Sequence, residues 1–425
     1  MTAPRVVVTG MGVVSPLAVG REVHLQRLLR GESAAVATAP EVARRSGCVL
    51  EARIPGFDRQ TAIANRMLRK LLTTSAAFSV VAAGEALRDA GFKSGDATLS
   101  GMGVFAGSVC IDFNPEMFIP AMRESLSPEG ELDIHRFAKK GMQLIDPLFI
   151  VKTLPNGGVG GIAIEHQTTG PSLNITNGPV SGLQAVAAAA RAIRGGEVEV
   201  ALAGAYDSML NMDSIAEHLV AGRLSTETEN PARACRPFDV RRAGYVLGEG
   251  AVFFVLESLE HARERSARAW GEILGAGQAM SPAAPSAAEE TGGLLDAAHK
   301  ALAMASCAPD QVDVLFGDGL GVEADDLLES ESARGLFGAR RVAFTAATGS
   351  TGFAGAAGGA MSLMHALSAA KSGAVPPMIG CGQVDPRCSM DLVLQAREQV
   401  VKRALVWNSD RGVKNAAVLV GPAPA

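Results

Sequence analysis

LNITNGPVSGLQAVAAAARAIRGG, residues 173–196, decides how the rest of the chain is read. Leu173 to Thr176 is predicted as an apolar β-strand and Asn177 to Gly182 as a tight turn. The Ala-, Leu- and Gln-rich remainder reads as a helix that stops at the paired glycines Gly195 and Gly196. A strand that turns sharply into a buried helix presents one side chain above the helix N-terminus. Free N–H groups and the positive end of the helix dipole stabilise a thiolate or an oxyanion there. The tip of this turn is Pro179, which supplies neither a nucleophile nor an N–H. The setting suits catalysis, but its reacting group is missing.

Outward from this stretch, the same design occurs a second time. Val342 to Thr345 reads as a strand, Ala346 to Gly352 as a Gly-bearing turn, and the small-residue run up to Gly373 as a helix, with Pro376 and Pro377 beyond it. Two such units suggest a duplicated α/β architecture, with halves at residues 1–258 and 259–425. The two small-residue helices would pack back to back at its centre. Further strands are predicted at Arg5 to Thr9, Gly103 to Ser108, Val198 to Gly204, Ala251 to Glu257, Trp270 to Ala276 and Val312 to Phe316. Two more, Ala404 to Trp407 and Ala416 to Val420, flank a polar loop from Asn408 to Asn415. Helices are predicted over Asn65 to Ala90 and Thr291 to Ala305, and Gly222 to Gly250 reads as a long charged surface loop. Asp112 to Pro147, rich in Phe and Met, breaks the rhythm as an insertion, either a lid or a partner-facing surface. The first strand ends at Gly10 and Gly12, but Ser15 stands where a dinucleotide loop needs its third glycine.

Composition excludes several classes. Hydrophobic residues make up 48 % and aromatics 4 %, which fits a large interior of small aliphatic side chains. A net charge of −5 gives no support to binding of nucleic acid or an anionic membrane. The six cysteines lack CxxC spacing and read as reduced thiols, so no metal site is implied, and no cofactor either. The N-terminus lacks a signal-peptide pattern, and the apolar run Gly355 to Ala370 is too short to span a bilayer, so a cytoplasmic location is expected.

The chain resembles the β-ketoacyl-acyl-carrier-protein synthase family of the thiolase fold over nearly its whole length. The resemblance rests on VVVTGMGVVSP at residues 6–16, TGPSLNIT at 169–176, PARACRPFDVRRAGYVLGEGA at 231–251, VLFGDG at 314–319 and GAAGGAMSLMHAL at 355–367. It implies duplicated βαβαβ halves in five α-β-α-β-α layers. It also implies a Cys nucleophile at the turn and two His that polarise a malonyl group. Here Pro179 holds the Cys position and Asp318 the first His position, and the second falls at Gly352 or Phe353. An anionic Asp318 would invert the electrostatics that a developing enolate needs. The preceding family lysine is replaced by Ala346 or Ala347, and the family's Gly- and Phe-rich closing loop by residues 408–414. Ser181 reads as a helix N-cap, and none of the seven histidines sits at a motif position.

Within the family, Asp318 followed by Gly and the long loop resemble the chain length factor, the ketosynthase β subunit of type II polyketide synthases. Pro179 departs from the Gln that many such subunits carry, which points to a divergent branch such as the highly reducing or aryl-polyene type. The resemblance implies a subunit with no activity alone that pairs with a catalytic ketosynthase and limits acyl chain length. Cys110, Phe113, Glu116, Met117 and Pro120 are the candidate pocket residues. An acyl carrier protein would dock at Arg66, Arg69 and Lys70. The competing readings are an acyl-transferring enzyme with an unconventional nucleophile, and a scaffold indifferent to product length.

Overall fold

The computed structural model describes residues 4–93, 95–109, 115–281, 287–388 and 390–424. Ten strands carry the architecture. The first five are β1 (Val6–Val14), β2 (Gly103–Gly107), β3 (Ser172–Ile175), β4 (Val200–Ser208) and β5 (Leu247–Ser258). The second five are β6 (Gly271–Met280), β7 (Val314–Phe316), β8 (Ala343–Thr345), β9 (Ala404–Asp410) and β10 (Lys414–Gly421). The hydrogen-bonded order is β3-β2-β4-β5-β1 in the first set and β8-β7-β9-β10-β6 in the second. The third strand thus lies outermost of the five in each set, β8 being flanked further by the short strand Asp391–Leu392, and the first lies at its inner end. In each set the first three neighbours pair in parallel and the last two pairings are antiparallel. The sets join where Val6–Val8 of β1 meets Gly271–Ile273 of β6.

Seven helices complete five layers: α1 (Thr74–Asp89), α2 (Gly157–His166), α3 (Ser181–Arg194), α4 (Met212–Val220), α5 (Ala287–Met304), α6 (Glu323–Phe337) and α7 (Ala356–Ser372). Helices α1 and α2 cover the outer face of the first set, and α5 and α6 that of the second, leaving α3 and α7 between the sheets. The central pair touches closely because its contact residues are small. A Cβ on Gly182 would lie 2.3 Å from the Ala356 carbonyl oxygen. Burial of Ala185 to Ala190 leaves α3 almost no exposed face.

Several expectations need correction. Strand β1 runs through Gly10 and Gly12 to Val14. Those glycines let α1 approach, since a Cβ on Gly12 would lie 2.1 Å from the Ala82 carbonyl. The helix expected over 65–90 is two: Asn65 caps Arg66–Leu71, the backbone extends at Leu72, and Thr73 caps α1. The insertion folds largely as short helices, among them Pro115–Phe118, Ile119–Glu124, Ile134–Lys139 and Gly141–Leu144. Strands β9 and β10 extend through most of the expected 408–415 loop, leaving only residues 411–413 as the turn.

The loop at 222–250 is not a surface loop. Cys235, Phe238, Asp239 and Tyr245 are buried, and β5 already begins at Leu247. Its charges are used inside. Asp239 accepts the Gly382 and Gln383 N–H groups, Asp326 accepts the Phe238 N–H, and Arg242 pairs with Asp385 at 2.9 Å. These contacts pin the loop to the second half.

Candidate functional site

The turn between β3 and α3 opens on a cavity of about 320 Å³, bordered by Pro179, Met209, His218, Tyr245, Phe353 and the residues of the β9–β10 turn. Pro179 faces this space as expected. Ser181 does not cap the helix. Its hydroxyl accepts the Asn177 N–H at 2.8 Å and donates to the Gly178 carbonyl at 2.7 Å, so it ties the turn together and is spent as a nucleophile.

Of the two residues expected at the second His position, Phe353 is the one that borders this cavity. Gly352 has φ +74°, and a side chain there would strike Ala52 and the Gly248 backbone, away from the cavity. The Phe353 N–H donates to the Val246 carbonyl, and its ring lies 5.3 Å from His218 and 4.9 Å from Tyr245. Ala346 and Ala347, at the lysine position, are buried and offer no charge.

Asp318 differs from expectation. It does not border the main cavity; its carboxyl turns to β9, where it accepts from Asn408 Nδ2 and from the Ser409 N–H at 2.9 Å. Its own N–H donates to Glu329, which also accepts from Trp407 Nε1. Burial, and then the neighbouring Glu329, push the Asp318 carboxyl well above the usual carboxylate range. Burial therefore favours the neutral acid over the anion expected from the sequence. Asn408 Oδ1 is buried without a partner, and turning that amide over would let a protonated Asp318 donate to it.

Three residues of the cavity escaped the sequence reading: His218, Arg223 and Tyr245. They form a chain in which Arg223 Nε donates to Tyr245 Oη at 3.2 Å and Tyr245 Oη lies 2.7 Å from His218 Nδ1, with Asp325 paired to Arg223 behind them. Burial lowers the His218 pKa to about 4 and raises Tyr245 to about 12, so both are neutral near pH 7. The available signal was helical period: Ser214, Ile215 and His218 make the buried stripe of α4. At the rim, Lys414 pairs with Asp410 at 3.2 Å and Arg411 with Glu217 at 3.1 Å. A side chain on Gly178 would meet Asp410 Oδ2 at 2.6 Å, so this pair lies directly over the turn.

The remaining candidates lie elsewhere. Cys110 and Phe113 fall outside the described residues. Glu116 is half-exposed and ion-paired with Arg45, Met117 is half-buried, and Pro120 is exposed on the segment that follows β2. Arg66 and Lys70 are exposed, whereas Arg69 donates to the Ile63 carbonyl at 2.6 Å. Among the described residues, no group of three or more His, Cys, Asp or Glu is placed to hold a metal ion, and no helix is long and apolar enough to cross a membrane.

Comparison with known proteins agrees with this geometry. Residues 3–262 match the N-terminal domain of beta-ketoacyl synthases and residues 271–382 the C-terminal domain. The chain is 32 % identical to the tetracenomycin polyketide synthase ketoacyl synthase beta subunit of Streptomyces glaucescens, over 99 % of both proteins. It is 31 % identical to the oxytetracycline polyketide putative beta-ketoacyl synthase 1 of Streptomyces rimosus, over 99 % of this chain and 98 % of that one. The solved structure titled the ishigamide ketosynthase/chain length factor superposes with a TM-score of 0.85 at 26 % identity, both chains being covered in full. The strand order, the turn into α3 and these matches together make the architecture the thiolase fold, and the chain belongs to the β-ketoacyl synthase family.

Proposed function

We propose that this chain is a non-catalytic chain length factor. It would pair with a catalytic ketosynthase in a type II polyketide synthase, receive acyl carrier protein jointly with that partner, and limit the length of the acyl chain. The observation that carries the proposal is Pro179 at the tip of an intact turn into α3, with Phe353 bordering the same cavity. A condensing site lacking the attacking thiol and both imidazoles keeps its shape and loses the means to move electrons. The beta-subunit relative and the ketosynthase/chain length factor neighbour support the same role and the same kind of partner.

Edge strand β3 supports pairing with a second chain. Among the described residues it pairs as a strand on one side only, with β2, and Leu173 is 43 % exposed on it. The segment after β2 carries exposed Ile134, Met142, Leu144, Ile150 and Val151, an apolar surface suited to a large permanent interface. Chain length would be set sterically by side chains of that segment reaching the partner's tunnel. Met117→Trp, co-expressed with the cognate catalytic ketosynthase, is expected to shorten the products read by mass spectrometry, because overpacking a closed cavity costs about 1–3 kcal/mol. Unchanged product length in Met117→Trp and Phe113→Ala alike would reduce the subunit to a scaffold. The purified chain, incubated with malonyl- and acyl-carrier protein, is expected to gain no acyl mass, and a turnover-competent adduct would overturn the proposal.

A further inference from the structure

The cavity beside Pro179 is rebuilt as well as disarmed. One of its buried polar groups is His218, 5 % exposed, and the chain of bonds behind it fixes its tautomer. Arg223 Nε can only donate, so Tyr245 Oη accepts from it and donates its own O–H to His218 Nδ1. Nδ1 is therefore an acceptor and the ring proton sits on Nε2. No described residue hydrogen-bonds Nε2, which leaves a neutral N–H donor at the wall of the cavity.

The other polar groups have the same bias. Arg223, Arg411 and Lys414 border the cavity against two acids, Glu217 and Asp410. Both acids are already paired to rim cations, at 3.1 Å and 3.2 Å, leaving spare donors on Lys414 and Arg411. Apolar surface faces these donors from Pro179, Met209, Leu320 and the Phe353 ring. Such a site is satisfied by a ligand that brings acceptors and negative charge at one end and an apolar or flat body at the other. The volume of about 320 Å³ is at the lower end for small-molecule pockets.

The geometry points to a binding site for a small organic monocarboxylate, its carboxylate on His218 Nε2 and the Lys414–Arg411 rim and its body between Phe353 and Pro179. This site requires no condensation chemistry and stands whether or not the chain controls product length.

The test is titration of the full purified chain with trans-cinnamate, using cinnamamide as the uncharged isostere, by calorimetry at pH 7 and low salt. Saturable cinnamate binding is expected, with cinnamamide at least about tenfold weaker, since hydrogen bonds to a charged group are worth about 1.5–3 kcal/mol. His218→Phe retains the ring stacking and removes the donor, and is expected to weaken cinnamate about tenfold. Lys414→Met is expected to weaken cinnamate and leave cinnamamide unchanged, and it carries the test should His218→Phe fail to fold by circular dichroism. Absence of saturable binding, equal affinity for acid and amide, or affinity indifferent to both substitutions would overturn the assignment.

Discussion

Asp318 is an acid with a desolvated carboxyl, and the consequence is read in stability more than in repulsion. Its folded-state pKa is raised, whereas in the unfolded chain it titrates near the ordinary value of about 3.9. Above that value the unfolded chain releases a proton that the folded chain retains, so this group's contribution to stability falls as pH rises through the folded-state pKa. Asp318→Asn keeps the shape and removes the titration. Denaturant unfolding at pH 5 and pH 8 is expected to show the variant gaining on the parent at pH 8 relative to pH 5, with a residual slope from Glu329, whose pKa is raised too. An equal difference at both pH values would mean that the carboxyl is ionised in the folded chain. Sequence placed Asp318 at the expected first His position and read it as an anion, because its protonation depends on Glu329, Asn408 and Ser409 across the fold, which sequence does not show.

Helices α3 and α7 were the most legible elements, because small residues at every turn can only serve close approach of two backbones. Gly182→Val forces a branched side chain against the Ala356 carbonyl and is expected to cost about 1–3 kcal/mol, read as a lowered unfolding midpoint. An unshifted midpoint would show that α3 and α7 can slide apart freely. The 222–250 loop was the least legible element, and the reason is physical. Its charges read as solvated, but Asp239 and Arg242 find partners about 85 to 145 residues away in sequence, among them Asp326 and Asp385, and only those pairings make burial tolerable. The same folding of the loop brings Arg223 to Tyr245, so the polar half of the cavity was hidden with it. The amphipathic period was similarly overridden by a cap at Thr73, where one expected helix became two.

At the scale of the whole molecule, the duplicated architecture could be read from two strand–turn–helix units, whereas the order of strands could not, since pairing is non-local. The open side of β3 makes the chain incomplete in a way its cavity does not. Leu173→Lys is expected to reduce co-elution with a co-expressed catalytic ketosynthase, measured by size-exclusion chromatography. Val220→Lys, on the 89 % exposed end of α4, is the matched control and is expected to leave co-elution intact. Equal behaviour of the two variants would exclude the β3 edge from the interface.

The seam between the two strand sets is short, three residue pairs between β1 and β6, yet α7 leans on β4 and β5 of the first set as well as on β9 of the second. Each copy of the ancestral unit has lent its innermost helix to the other's sheet. The halves therefore cannot be parted like two beads on a string: severed near residue 260, either piece would leave a broad face of Ala, Val and Leu wet. The repeated strand order thus forms one packed body, its two sheets bound through the helices between them.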